Sequence, residues 1–190
     1  MLNSDYRRLC PVTLPYQGRQ KYMHTFDLAR PVMAAGFEDY DEAVWTLCAA
    51  AGAFEGEAHM TVDEKIIPAG MSQRRPKPHV DGVFMPNLHR WGGGPSWNHH
   101  CNDIGVGNAK HRMPVIVASN VSGCRAWRGG FDAIPAADGD LSHLPLGEGE
   151  ILPPNVGYLL SGDCVHESMV FNRPTRRTFL RIALPVDFEF

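Results

Sequence analysis

His79-Val80-Asp81 sets an imidazole and a carboxylate two residues apart, and His166 supplies a second imidazole far downstream. In an extended chain residues i and i+2 point to one face, so His79 and Asp81 project together. A distal histidine brought alongside completes one triangular face around a six-coordinate metal and leaves three positions open. That donor set suits iron(II). The local motif is not specific by itself. With nine histidines and twelve aspartates in 190 residues, a His-x-Asp spacing arises by chance about 0.6 times.

The context of the motif carries more weight. Downstream of His166 the chain reads as a short strand, a turn at Asn172–Thr175 and a long last strand from Arg177 to Leu184. A hairpin turning near residues 173–174 sets His166 opposite about residue 181. Arg177 and Arg181 are four apart and share a face of that strand, while Arg176 lies on the other face. Two guanidiniums beside a metal site are costly unless they meet an anion. A dicarboxylate meets the requirement, because arginine binds carboxylates in bidentate fashion.

These residues position themselves within a mainly β pattern. A helix is predicted from Phe37 to Ala51, capped by Asp39 or Asp41 and ended by Gly52, with Ala43, Val44, Leu47, Cys48 and Ala51 as its apolar stripe. Beyond it, short strands are predicted at Ala58–Ile67, Val83–Met85, Pro114–Ser119, Cys124–Arg128, Glu150–Leu152, Gly157–Leu160, Glu167–Phe171 and Arg177–Leu184, divided by glycine and proline. One early helix and about eight strands fit a jelly-roll barrel with a helical buttress. The expected arrangement is one domain, 1–190: helical or irregular support over 1–56 and a barrel over 57–185. A lid-like insertion is expected at about 86–113. That insertion holds His89, His99, His100, Cys101 and His111, which match no standard zinc spacing and read as a polar loop or as lid contacts. Tyr158 and Trp127 read as core or as lining of the barrel interior.

At this point the chain resembles the Fe(II)/2-oxoglutarate dioxygenase superfamily, whose fold is the double-stranded β-helix, a jelly-roll or cupin-like barrel. The carrying residues are His79-x-Asp81, His166, and the tail Arg173-Pro-Thr-Arg-Arg177-Thr-Phe-Leu-Arg181, which is similar in spacing to the taurine dioxygenase-like branch. The resemblance implies that His79, Asp81 and His166 hold iron(II). It implies that Arg177, eleven after the distal histidine, anchors the far carboxylate of 2-oxoglutarate, and that Arg181 supports it or contacts substrate. Arg176 fits the spacing of other branches. The strand ending in Ser119-Asn120-Val-Ser122 is also similar, and Ser119, Asn120 or Ser122 is expected to bond a 2-oxoglutarate carboxylate. The implied activity is oxidation, chiefly hydroxylation, of a substrate with release of succinate and carbon dioxide. A halogenase variant is disfavoured, because it lacks the carboxylate ligand that Asp81 supplies. Two other classes fit the architecture: a metal-binding cupin that does not use 2-oxoglutarate, which has no need of the arginine pair, and an inert jelly-roll binding module, which has no need of three ligands.

Composition narrows the partners. Hydrophobic residues make up 44% of the chain and the formal net charge is −3, which gives no global case for a nucleic-acid or membrane partner. Arg74-Arg75-Pro76-Lys77 is a local basic run that reads as a solvated loop. With His89 and Arg90, the same run places positive charge near the expected site mouth and points to an anionic small-molecule substrate or one derived from a nucleotide or nucleic acid. Five cysteines, at 10, 48, 101, 124 and 164, make an odd set without a Cys-x-x-Cys pair, which suits a reduced, cytoplasmic protein. No secretory leader, membrane span or obligate protein partner is expected.

Overall fold

The computed structural model describes residues 1–81, 113–133, 139–185 and 187–190, together with the backbone of 83–85 and 90–92. Its elements are β1 (Leu2–Ser4), β2 (Tyr6–Pro11), β3 (Gln20–Asp27), a 3-10 turn (Glu38–Tyr40), α1 (Asp41–Ala51), β4 (Glu57–Ile67), β5 (Val83–Met85), β6 (Arg90–Gly92), β7 (Val115–Ser119), β8 (Cys124–Trp127), β9 (Gly129–Phe131), β10 (Glu150–Ile151), β11 (Val156–Leu160), β12 (Val165–Ser168) and β13 (Thr175–Ala183). The protein is mainly β. All strand pairings are antiparallel, in a six-stranded sheet of order β2-β11-β7-β13-β4-β3, a three-stranded sheet of order β10-β8-β12, and the pairs β1-β9 and β5-β6. The large sheet has two edges, β2 and β3, and does not close into a barrel among the described residues.

β13 lies near the middle of the large sheet, paired with β4 on one side and β7 on the other. Its even-numbered residues Leu180 and Ile182 pack beneath α1 with Val44, Leu47, Met60, Val62, Ile116 and Leu159. Its odd-numbered residues Phe179 and Ala183 join Val117, Tyr158 and Leu160 of the same sheet, and meet Ala126 of the small sheet in a second apolar cluster. The strand is thus buried on both faces, and its period of two sorts one side chain set toward the helix and the other toward the space between the sheets.

The helix keeps its predicted apolar stripe, Ala43, Val44, Leu47, Cys48 and Ala51, all buried. It starts later than the sequence predicts. Tyr40 is the N-cap without a side-chain bond, and Asp39 instead binds Arg19 at 2.7 Å. Gly52 ends it in the left-handed region at φ 82°. The larger departure is at the N-terminus, where 1–56 was expected to be helical or irregular support. β1, β2 and β3 lie there, and β2 and β3 are the two edges of the large sheet. Their sequences, Tyr-Arg-Arg-Leu-Cys-Pro and Gln-Lys-Tyr-Met-His-Thr-Phe-Asp, are half exposed, so they lack the apolar alternation that marks a strand covered on one face. Both edge pairings are irregular: the register shifts between Val156 and Tyr158 beside β2, and between Lys21 and His24 on β3, where Met23 has φ 54°. Of the expected insertion at 86–113, β6 and Met113 are described; His89, His99, His100, Cys101 and His111 lie outside the described residues. No described helix is long and apolar enough to cross a membrane.

Helix α1 rests on β11 at Gly157, where an added Cβ would collide with the Leu47 side chain. Gly157→Ala is therefore expected to lower the unfolding free energy by about 1–3 kcal/mol through overpacking. A shift of the urea midpoint at constant slope checks it, and an unshifted midpoint shows that the helix can ride up freely.

Candidate metal centre

His79 and His166 exchange two backbone hydrogen bonds, N–H to C=O at 3.0 Å in each direction. On its other side the same segment is held by Val80 N–H to Gly139 O at 3.2 Å and Leu141 N–H to Pro78 O at 2.8 Å. Residues 78–80 thus form an extra rung beside β12, without being a full strand. Val80 is fully buried with Trp127, Leu141 and Val165, which turns its neighbours His79 and Asp81 to the opposite side. One ligand atom from each of His79, Asp81 and His166 lies within 4.8 Å of the others, a grouping that can hold a metal ion.

The hydrogen bonds fix the chemistry of both imidazoles. His79 Nδ1 lies 2.6 Å from Lys77 O, and His166 Nδ1 lies 2.9 Å from Cys164 O. A carbonyl only accepts, so each Nδ1 carries the hydrogen and each Nε2 keeps a lone pair for a metal. Burial, and then neighbouring His166, push His79 down to about 3, against the opposing pull of Asp81. His79 is therefore a neutral ligand at ordinary pH. For Asp81, burial alone would raise the carboxyl, but Arg181, then His166, His79 and Arg74, hold it well below the usual carboxylate range. Arg181 Nη2 sits 3.1 Å from Asp81 Oδ2, and His166 Nε2 sits 3.8 Å from Oδ1. One carboxylate oxygen is thus engaged by arginine and the other is turned to the histidines.

The triad lines a cavity of about 220 Å³ that runs between the sheets, past Phe179, to Arg177. Arg177 is 1% exposed. Its Nε donates to Ser119 Oγ at 2.9 Å and its Nη1 to Ser168 Oγ at 3.3 Å. Ser119 Oγ also accepts from Val121 N–H, and Ser168 Oγ from Arg74 N–H. Both hydroxyls have their lone pairs turned to N–H donors, which leaves their own O–H groups to donate. Among the described residues no carboxylate pairs with Arg177. Burial pulls its guanidinium down to about 10, only partly offset by Cys124 and Asp63. Cys124, in the same wall, is pushed up to about 12 by burial and stays a neutral thiol. The result is a buried cation bonded to two hydroxyl oxygens, with no carboxylate among the described residues paired with it. Gly123 keeps that seat open, since an added Cβ would stand 2.8 Å from both Arg177 Cζ and Phe171 Cζ.

The structure brings together His79, Asp81, His166, Arg177 and Arg181 around one cavity, and Ser119 reaches it through Arg177. Asn120 does not line it. Its Oδ1 accepts from Thr178 N–H at 2.8 Å, at the end of the β7–β13 ladder. Ser122 and Arg176 are exposed, Arg176 over the Tyr16 ring. The expected β12–β13 hairpin does not form: β12 pairs with β8, and β13 with β4 and β7. His166 and Arg181 instead face each other across the gap between two sheets, because the turn after Ser168 carries the chain from one sheet to the other. Trp127 and Tyr158 are core residues, the indole N–H bonded to Gly147 O. Ser168 escaped the sequence reading, although its place two residues after His166 puts it on the same side of a strand. Arg74 and Arg75 line the cavity rather than a solvated loop. No protein-family model matches the chain, and no curated protein matches it.

Two outcomes follow for the ligand-free chain. The unfolded chain protonates His79 near the usual 6.5, whereas the folded chain resists protonation down to about 3. Stability is therefore lost as pH falls through that window, at up to about 1.4 kcal/mol per pH unit. Urea midpoints between pH 7 and 4 should show a shallower decline in His79→Gln, and equal declines would place the titration elsewhere. Arg177→Met should leave the unfolding free energy level or raise it, because it removes an uncompensated buried charge. A loss of about 3–5 kcal/mol, as when one partner of a buried ion pair is deleted, would make Arg177 structural.

Proposed function

We propose that this chain is an iron(II)- and 2-oxoglutarate-dependent oxygenase on a jelly-roll scaffold of the double-stranded β-helix type. The observation that carries the reading is the pairing, in one cavity, of a two-histidine, one-aspartate triad with a buried arginine that has no carboxylate partner among the described residues. A divalent metal accounts for the first and a dicarboxylate for the second. The two tautomers argue for the fit of the metal, since both Nε2 atoms are left as donors. The guanidinium of Arg177, together with the O–H groups that Ser119 and Ser168 have left to donate, argues for the fit of the co-substrate. A cupin without 2-oxoglutarate explains the triad and leaves Arg177 unexplained.

The chemistry that iron(II) and 2-oxoglutarate supply when bound is oxygen-dependent oxidation of a substrate C–H bond, coupled to conversion of 2-oxoglutarate to succinate and carbon dioxide. The protein's part is placement. His79 Nε2, His166 Nε2 and an Asp81 oxygen hold the metal, and Arg181 keeps the second Asp81 oxygen occupied. Arg177, Ser119 and Ser168 hold the far carboxylate. Phe179 stands between the two ends of the cavity and keeps water from its apolar wall. Free thiols at Cys10, Cys48, Cys124 and Cys164 suit the reduced cytoplasm that iron(II) also favours.

The test is succinate release from 2-oxoglutarate with iron(II) and oxygen. His79→Ala and Asp81→Ala are expected to abolish it, and Arg177→Ala to raise the 2-oxoglutarate concentration required by tenfold or more. Unchanged succinate production in the first two variants would remove the triad from the chemistry. An unaltered requirement in the third would move the anchor to another residue.

A further inference from the structure

Charge around the cavity is not balanced by what has been assigned so far. Four guanidiniums line it, Arg74, Arg75, Arg177 and Arg181, against two carboxylates, Asp81 and Glu167. Arg181 takes Asp81, and Arg125, at 3.0 Å, takes Glu167. Arg177 is answered by the co-substrate, and Arg75 has an interaction of its own. Arg74 remains. Its only ion-pair contact among the described residues is long, Nη1 to Asp63 Oδ2 at 3.9 Å, and Asp63 has nearer partners in Lys65 Nζ, 3.0 Å from the same oxygen, and Gln20 Nε2, 2.8 Å from the other. Its side chain is about a third exposed, so it lines the cavity nearer to solvent than Arg177 does.

Arg74 is nevertheless firmly placed. Its N–H donates to Ser168 Oγ, its carbonyl accepts from Ser72 Oγ at 2.7 Å, and the next carbonyl, Arg75 O, accepts from Ser168 N–H at 2.8 Å. Both guanidiniums lie against the Phe179 ring: Arg74 Cζ is 5.9 Å from the ring centroid and Arg177 Cζ is 5.2 Å from it. One serine and one phenylalanine thus organise two cations at different depths, and only the deep one is consumed by a co-substrate.

We propose that the cavity holds two anion seats, both against Phe179, and that the outer seat, at Arg74, takes the acidic group of a small organic acid that is the substrate. The role as substrate rests on the oxygenase reading; the seat itself does not. Size favours a small acid over a nucleic acid. About 220 Å³ is less than the roughly 300–1,000 Å³ of pockets for drug-sized ligands, and the co-substrate must share it. The net charge of −3 also disfavours a polyanion. Carboxylate, sulfonate and phosphate monoester share the oxyanion chemistry that a guanidinium reads.

The test is anaerobic calorimetry on the full chain with iron(II), with and without saturating 2-oxoglutarate. The probes are short-chain carboxylates, sulfonates and phosphate monoesters, each beside its neutral amide or alcohol. At least one acid class is expected to bind in the presence of 2-oxoglutarate while its neutral counterpart does not. Its Kd should rise tenfold or more in Arg74→Gln and recover in part in Arg74→Lys, with 2-oxoglutarate affinity unchanged in both. Acids that only compete with 2-oxoglutarate would reduce two seats to one and overturn the proposal, as would binding indifferent to Arg74→Gln or no acid binding at all. Arg74-dependent binding of a single-stranded oligonucleotide but of no small acid would overturn the small-acid assignment. If 2-oxoglutarate fails to bind while the acids bind through Arg74, the oxygenase reading falls and the outer seat stands.

Discussion

Arg177 is a full positive charge sealed between two sheets, and much of the structure follows from having to keep it there. Removing a guanidinium from water costs several kcal/mol unless an anion and hydrogen bonds repay it. The chain supplies the hydrogen bonds, from Ser119 on one sheet and Ser168 on the other, and among the described residues withholds the anion. Phe179 and Phe171 offer ring faces at 5.2 and 5.8 Å, which soften the desolvation without neutralising the charge. Gly123 gives up its side chain so that the guanidinium has room. Such a site is poised: stable enough to persist, and lowered in energy by any ligand that brings a carboxylate.

The candidate metal centre is arranged on the other principle, with the orientation of each triad side chain settled by the chain itself. The reciprocal backbone bonds between His79 and His166 set the two rings 4.5 Å apart between centroids, and the two Nδ1 bonds fix their tautomers. Arg181 holds Asp81 in place from the facing sheet. The two ends are coupled through β12, which carries both His166 and Ser168, and through β13, where Arg177 and Arg181 are four residues apart, about 13 Å at 3.3 Å per residue. A strand buried on both faces and paired on both edges is the least deformable ruler the fold can offer.

What the sequence made legible was local periodicity. The spacing of His79 and Asp81, the shared face of Arg177 and Arg181, and the opposite face of Arg176 all follow from a period of two, and all hold. So does the apolar stripe of α1. What failed was pairing across sequence distance. The turn after Ser168 looks like a hairpin because nothing in residues 169–174 distinguishes a turn that pairs its flanking strands from one that passes them to separate sheets. His166 meets Arg181 all the same, across a gap rather than along a ladder. Asn120 misled for a related reason: next to Ser119 in sequence, it spends its side-chain oxygen on the backbone N–H of Thr178. β2 and β3 were missed because an edge strand with one open face and polar residues carries little hydrophobic signal.

Those same edges bear on how the molecule behaves among its own copies. A six-stranded sheet whose two margins are unpaired among the described residues is a template onto which further strands can dock, and long flat margins invite fibrils. Here each outermost pairing carries a register break, beside Val156 on one side and at Lys21–His24 on the other, and the second includes a left-handed methionine at Met23. A bulge of this kind twists the margin and breaks the regular spacing of its N–H and C=O groups. The irregular outer pairings of β2 and β3 therefore work against the docking of further strands on this sheet.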